Sequence, residues 1–275
     1  MRTKTQIRRW VLFAVLCAAF VVAYLPIFTI VANSFRSEAE ILAKGFLDSV
    51  YTLDTYKKLL SNSEFVGYLK NSLLVSMASA LANICISTFA GYAISRFKNR
   101  LVKGYSSLLL LLQMFPLILC AVPLFIVFRS VNLMNSYTSI IILYTATSLP
   151  FTTWMFRGYF DEIPQEIEQA AWIDGCGRFK SFLKVVLPLS GPGMASVSIY
   201  CFLQGWNEFF LANIFLMDNA KRTLPVGISM FINQYSRDYG RLSCAAVLAM
   251  IPTFIFFLVG QKYIVGGAIS GSVKG

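Results

Sequence analysis

The run Asp161-Glu-Ile-Pro-Gln-Glu-Ile-Glu-Gln-Ala-Ala-Trp-Ile-Asp-Gly-Cys-Gly-Arg-Phe-Lys-Ser-Phe-Leu-Lys-Val-Val-Leu-Pro188 is a charged island between long apolar stretches. Pro164 suits the first turn of a helix, where a missing N–H costs nothing, and Gly175 suits its stop. Ile163, Ile167, Ala170 and Ala171 fall at i, i+4, i+7 and i+8, and Phe179, Phe182, Leu183, Val186 and Leu187 repeat the pattern after the glycines. Two amphipathic helices meeting at a Gly175-Cys-Gly177 elbow are predicted. Pro188 should end or bend the second of them just before the next apolar run begins, which ties the elbow to that run. The plainest alternative is a solvated connector, the usual meaning of a charge run.

The surroundings of the island are membrane-like in composition. Hydrophobic residues make up 57% of the 275 positions and charged ones 13%, with a mean hydropathy of +0.64. A net charge of +11 invites a nucleic-acid reading, yet the basic residues sit in short clusters flanking apolar runs and form no continuous polar surface. The 6 cysteines have no paired spacing, so neither a disulfide framework nor a metal site is indicated. With no histidine, imidazole acid–base chemistry and the usual zinc ligands are excluded. No G-x-x-x-x-G-K-[ST] loop is present, so ATP hydrolysis by that device is excluded too.

Six apolar runs are read as membrane helices, making the chain all-α: Val11 to about Ala32, Leu69 to Ser95, Gly104 to Phe128, Ser136 to Phe156, Gly191 to Met217 and Leu242 to Ile264. The first follows a basic N-terminus but is too long for a signal-peptide core. Asn33 to Tyr68 reads as an extracytoplasmic loop with short helical pieces. In the second run Ser76, Ser79, Ala80, Asn83, Ser87 and Gly91 share a face that should point into the bundle, because small and polar residues permit close helix approach. Pro116, Pro123 and Pro150 predict kinks in the third and fourth runs. Arg96, Lys98, Arg100 and Lys103 crowd one short loop and place it, with both termini, in the cytoplasm. The expected layout is a single domain, 1–275. Residues 1–64 are the first helix and loop, 65–264 a five-helix core containing the island at 157–188, and 265–275 a cytoplasmic tail.

Within the fifth run, Gln204-Gly-Trp-Asn-Glu208 carries an ionisable group where burial in lipid costs roughly 2.5 kcal/mol or more unless it is paired or wet. Trp206, Asn207 and Glu208 are read either as lining a solute path, with Gln113 of the third run, or as locking helices together or forming a gate. Two rivals come from other classes. A membrane enzyme using Asp174 and Glu208 would need residues that the helix order keeps apart, whereas a passive channel or adaptor is separable only by experiment.

The island resembles the coupling ("EAA") loop of bacterial ABC-importer permeases, in which Glu-Ala-Ala, two residues, Asp-Gly and a later Leu-Pro recur. Here it reads Gln169-Ala170-Ala171-Trp172-Ile173-Asp174-Gly175 and Leu187-Pro188. Asn71-Ser-Leu, Trp206-Asn-Glu208 and the tail Gly266-Gly-Ala-Ile-Ser-Gly-Ser-Val-Lys-Gly275 extend the likeness to the second permease of maltose- and multiple-sugar-type importers. The resemblance implies the type I importer permease fold in the inner membrane, multi-pass. It implies partnership with a second permease, two cytosolic ATPase subunits and an extracytoplasmic solute-binding protein, in contact with lipid and without nucleic acid. ATP and Mg would be held by the ATPase subunits, and this chain would hold no cofactor and catalyse no bond chemistry. Residues implied in ATPase coupling are Glu168, Gln169, Ala170, Ala171, Asp174, Gly175, Phe179, Leu187 and Pro188. The segment from Asp218 to Gly240 corresponds to the binding-protein docking loop, with Asn233, Gln234 and Arg237 as contacts, or else is a plain solvated loop. Gln169 departs from the family's acidic residue, so Glu168 or a neutral Gln169 hydrogen bond would replace its ion pair. A sugar is the implied cargo; a glycerol phosphodiester or another non-sugar solute is the alternative.

Overall fold

The computed structural model describes residues 2–232 and 238–272, apart from the side chains of residues 2–5, 7 and 261–272. Helices dominate, and among the described residues there is no β-strand. In chain order the α-helices are α1 (Arg2–Ser34), α2 (Glu38–Ala43), α3 (Asp54–Leu60), α4 (Ser63–Arg96), α5 (Arg100–Met114), α6 (Leu117–Ser130) and α7 (Tyr137–Asp161). They continue with α8 (Gln165–Ile173), α9 (Arg178–Ser181), α10 (Leu187–Leu189), α11 (Gly191–Trp206), α12 (Phe210–Phe215), α13 (Leu224–Ser229) and α14 (Tyr239–Ser272).

By length and composition α1, α4, α7 and α14 can each cross a membrane. Two further crossings arise if each bent pair counts as one span: α5 with α6, and the Arg178–Leu189 segment with α11. The third run therefore departs from a kinked helix. It breaks at Phe115-Pro116, and the two halves diverge by 102°. Pro116 lacks an N–H and biases the residue before it away from helix, and Phe115 accordingly turns extended. Pro150, by contrast, lies inside an unbroken α7. The last helix is longer than expected, running through the glycine-rich stretch to Ser272.

Two compact units are distinguished, Met1–Val66 with Ile228–Ile251, and Gly67–Gly227 with Pro252–Gly275. In the first, Arg36 is 2% exposed and donates to Asn33 Oδ1 and to the carbonyls of Glu40 and Lys44, closing the turn after α2. Glu40 accepts from Lys44 Nζ and the Val50 N–H, and the Lys44 hydrogen bond holds its carboxyl below the usual carboxylate range. The sequence expectation of short helical pieces here corresponds to α2 and α3.

In the second unit α4 packs against α7 and α11. Ser76, Ser79, Ala80, Asn83 and Ser87 are all buried, so the small-residue face does point inward as its spacing required. A Cβ on Gly91 would lie 2.6 Å from Phe156 Cβ of α7, and one on Gly205 of α11 would lie 3.2 Å from Ser76 Cα. Glycine is what lets both helices approach α4. Between them Asn83 Nδ2 donates to the Thr145 carbonyl, while Asn83 Oδ1 accepts from Ser87 and from Cys201 Sγ. A buried polar group costs free energy unless it is hydrogen-bonded, and the bonds of Asn83 tie all three helices together. An apolar cluster of Val75, Phe128, Ile140, Leu143, Leu211 and Phe215 fills one end of the same unit.

Candidate functional site

The island folds as an elbow. α8 ends in a Schellman motif: Cys176 N–H bonds to the Ala171 carbonyl and Gly175 N–H to the Trp172 carbonyl, with Gly175 at φ +84°. Only glycine holds that conformation without strain, so Gly175 fixes the direction in which α9 leaves. Pro164 stands at the N-cap of α8, one place before the first turn expected for it.

Pro188 acts less abruptly than its sequence context implies. Residues Phe182–Val186 widen into a π turn, in which Leu187 N–H reaches back to the Phe182 carbonyl, and α10 then continues through Pro188. A wider turn absorbs the missing donor and the ring's clash with the carbonyl four residues earlier. The sharp change of direction, 77°, comes instead at Ser190, between α10 and α11.

What anchors the elbow is an ion pair inside the chain. Glu168 is 1% exposed; its carboxylate accepts from Arg96 Nε and, at 2.7 Å, from Tyr92 Oη. Arg96 also donates to Ser95 Oγ (2.9 Å) and to the Ile163 carbonyl (3.0 Å), and Ser95 donates to Asp161. The end of α4 thus grips the end of α7 and the first turns of α8. Glu168 consequently cannot present an outward carboxylate in place of the family's Glu, because its charge is neutralised within the fold. Gln169, one position on, is exposed and is the residue that faces outward.

The predicted apolar stripe divides accordingly. Phe182 and Val186 turn inward, with Phe182 packed on Phe89, Tyr92 and Phe160, while Phe179 (65% exposed) stays outside, as does Ile173 (86%), which the stripe did not include. Ala170, Asp174 and Gly175 are exposed beside them, Ala171 and Leu187 are half-buried, and Pro188 is exposed. Small residues flanked by uncovered apolar ones form a surface suited to a protein partner.

The second group falls at a helix break. α11 stops at Trp206, Asn207 takes the C-cap, and α12 begins at Phe210, so Glu208 does not sit inside a continuous helix as expected. Its carboxylate instead accepts from the backbone N–H groups of Leu211 (2.7 Å) and Ala212 (3.1 Å), at the positive end of α12. The expectation that Glu208 must find polar neighbours holds, and main-chain donors supply them. Trp206 is buried, stacked on Phe202 at 5.7 Å; Asn207 is exposed, its amide bonded to the Leu203 carbonyl. Gln113 lies exposed on the last turn of α5, a separate element, and shares no described contact with this group.

Asn71 and Ser72, the first two residues of the Asn71-Ser-Leu signature, have a structural task. Asn71 Nδ2 donates to the carbonyls of Ala220 and Arg222, Tyr137 Oη donates to Asn71 Oδ1, and Ser72 Oγ accepts from Leu224 N–H. They pin the segment after α12 to α4. Asn233, Gln234 and Arg237 lie outside the described residues, as do Lys274 and the side chains of the tail.

This architecture has close parallels. The family described as "binding-protein-dependent transport system inner membrane component" matches residues 83–267, more than half of the chain and all of the elbow. The chain is 36% identical over 252 residues to the sulfoquinovosyl glycerol transport system permease protein SmoH of Agrobacterium fabrum, covering 91% of this chain and 88% of that one. It is 34% identical over 270 residues to the trehalose/maltose transport system permease protein MalG of Thermococcus litoralis, covering 96% and 94%. In fold it superposes with a TM-score of 0.81 on a chain of a bacterial ABC transporter involved in the import of alginate, at 24% identity and over 92% and 95% of the two chains. Motif, elbow and whole-length similarity agree, and the chain belongs to the inner membrane components of binding-protein-dependent transport systems.

Proposed function

We propose that this chain is one permease of an ATP-driven sugar importer, forming half of the solute path with a second permease. One of two ATPase subunits binds its elbow, and a solute-binding protein delivers the cargo. One observation carries the reading: Gln169, Ala170, Ile173, Asp174, Gly175 and Phe179 form an exposed surface on an elbow that a buried Arg96–Glu168 pair fixes to α4 and α7. A surface built on so firm a base is suited to transmit force. The relatives named for sulfoquinovosyl glycerol and for trehalose/maltose support a carbohydrate cargo.

Coupling in this reading is mechanical. Closure of the ATPase pair moves the elbow, and the π turn before Pro188 and the bend at Ser190 pass that movement to α11. At the far end of α11 lie Trp206, Asn207 and the Glu208-capped break, which is where access to the solute would alternate; Gln113 on α5 belongs to the same proposed path. The chain moves the solute and breaks no bond. ATP and Mg are the business of the ATPase partners, Asn233, Gln234 and Arg237 remain the proposed contacts for the binding protein, and 1–275 acts as one permease domain.

Co-expression with the ATPase subunit, followed by co-purification and by uptake of labelled sugar in vesicles with the binding protein, tests the proposal. Ile173→Asp should insert normally yet lose the ATPase and ATP-dependent uptake, since a charge replaces an apolar contact at an interface. Retention of both would overturn it.

A further inference from the structure

We infer that the end of α4, the start of α5 and the end of α7 enclose a site for the phosphodiester headgroup of an anionic phospholipid. A cavity of about 700 Å³ opens there, lined among others by Arg96, Lys98, Lys103, Ser106, Arg157 and Asp161. Its charge does not balance. Arg96 is neutralised by Glu168 and Arg157 pairs with Asp161 at 3.3 Å, which leaves Lys98 and Lys103 without an ion pair among the described residues. Two ammonium groups in one cavity repel each other unless an anion lies between them. Hydroxyls of Ser106 and Ser107 on the same wall supply donors that a phosphate oxygen accepts from.

The occupant is further specified by what continues from the cavity. On the face of α5 that carries Lys103 and Ser107, Leu110 (43% exposed) and Met114 (80%) follow at helical spacing, and α5 with α6 is long and apolar enough to cross a membrane if the bent pair counts as one span. Headgroup in a basic pocket with acyl chains along that face is the arrangement an anionic lipid adopts between transmembrane helices. A free phosphate would use the lysines but not the apolar face. The inference rests on α4 and α5 lying in a bilayer and not on the proposed partners, so its test reads lipid binding and not transport.

The full chain in detergent, titrated with phosphatidylglycerol or with zwitterionic phosphatidylcholine, is followed by native mass spectrometry. Phosphatidylglycerol should be retained in preference, and Lys98→Gln/Lys103→Gln should weaken that retention by about tenfold or more. Lys57→Gln/Lys58→Gln, a charge-matched change on α3, and Lys98→Arg/Lys103→Arg should both keep it. Equal retention of the two lipids, or undiminished binding in the Lys98/Lys103 glutamine variant, overturns the inference. Displacement of the lipid by millimolar inorganic phosphate at constant ionic strength, which identifies a soluble phosphate as the ligand, also overturns it.

Discussion

Glu168 and Gln169 are neighbours with opposite roles, decided by which way each points from α8. Glu168 lies against Arg96 and Tyr92, buried, so Glu168→Ala strands an arginine that is 9% exposed. Removal of one partner of a buried pair costs roughly 3–5 kcal/mol, and replacing both with apolar residues recovers most of it. Thermal unfolding in detergent should therefore show Glu168→Ala strongly destabilised and Arg96→Met/Glu168→Leu close to wild type; equal losses would contradict the assignment. Gln169→Ala, at an exposed position, should leave stability within about 0.5 kcal/mol while weakening coupled uptake. A titratable example lies at Asp218, whose carboxyl is held below the usual range first by the Asn135 amide (2.7 Å) and then by Lys221. Because the folded pKa is lowered, this stabilisation is complete above the ordinary carboxylate pKa and is lost as pH falls through the folded value. Unfolding midpoints measured from neutral to acid pH should converge between Asp218→Asn and wild type at the acid end; parallel curves would exclude the contribution.

Among elements, the elbow and the α11–α12 break each depend on one residue for their geometry. At Gly175 a Cβ would meet nothing within 4 Å, so Gly175→Val costs only the backbone strain of a β-branched residue at φ +84°, about 1–2 kcal/mol. The variant should insert and fold but point α9 elsewhere, and uptake should be lost with expression retained. Normal uptake would show that the elbow's direction is immaterial. Glu208→Ala leaves Leu211 and Ala212 N–H groups unbonded and should cost about 0.5–2 kcal/mol, with Glu208→Gln intermediate because it keeps an acceptor but not the charge at the helix start. Measured stability of the three chains in detergent checks the order.

Over the second unit as a whole, α4 is held against α7, α8 and α11. Gly91→Ala places a methyl 2.6 Å from Phe156 Cβ and 3.0 Å from the Arg157 N, neither of which can step aside without moving α7. Overpacking of that kind costs about 1–3 kcal/mol, and the Arg96–Glu168 anchor directly follows, so destabilisation and reduced uptake should appear together. Gly158→Ala on α7, where a Cβ meets nothing within 4 Å, is the matched control and should behave as wild type.

Much of this was legible in the residues. Apolar runs marked the helices long enough to cross a membrane, the inward face of α4 followed from Ser76, Ser79, Asn83 and Ser87 at helical spacing, and Gly175 marked the elbow, because periodicity and glycine conformation are local properties. Tyr92 and Arg96, at i and i+4 on α4, were visible as sharing a face, but nothing local pairs them with Glu168 far along the chain. Nor does local sequence distinguish a proline that breaks a helix, as at Phe115-Pro116, from Pro150, which α7 tolerates, or from Pro188, which a π turn absorbs. Those outcomes depend on whether neighbouring helices satisfy the freed backbone groups, and so does the turning of Glu208 onto the α12 N–H groups. Long-range pairing and backbone satisfaction are properties of the packed bundle, and only the tertiary structure decides them.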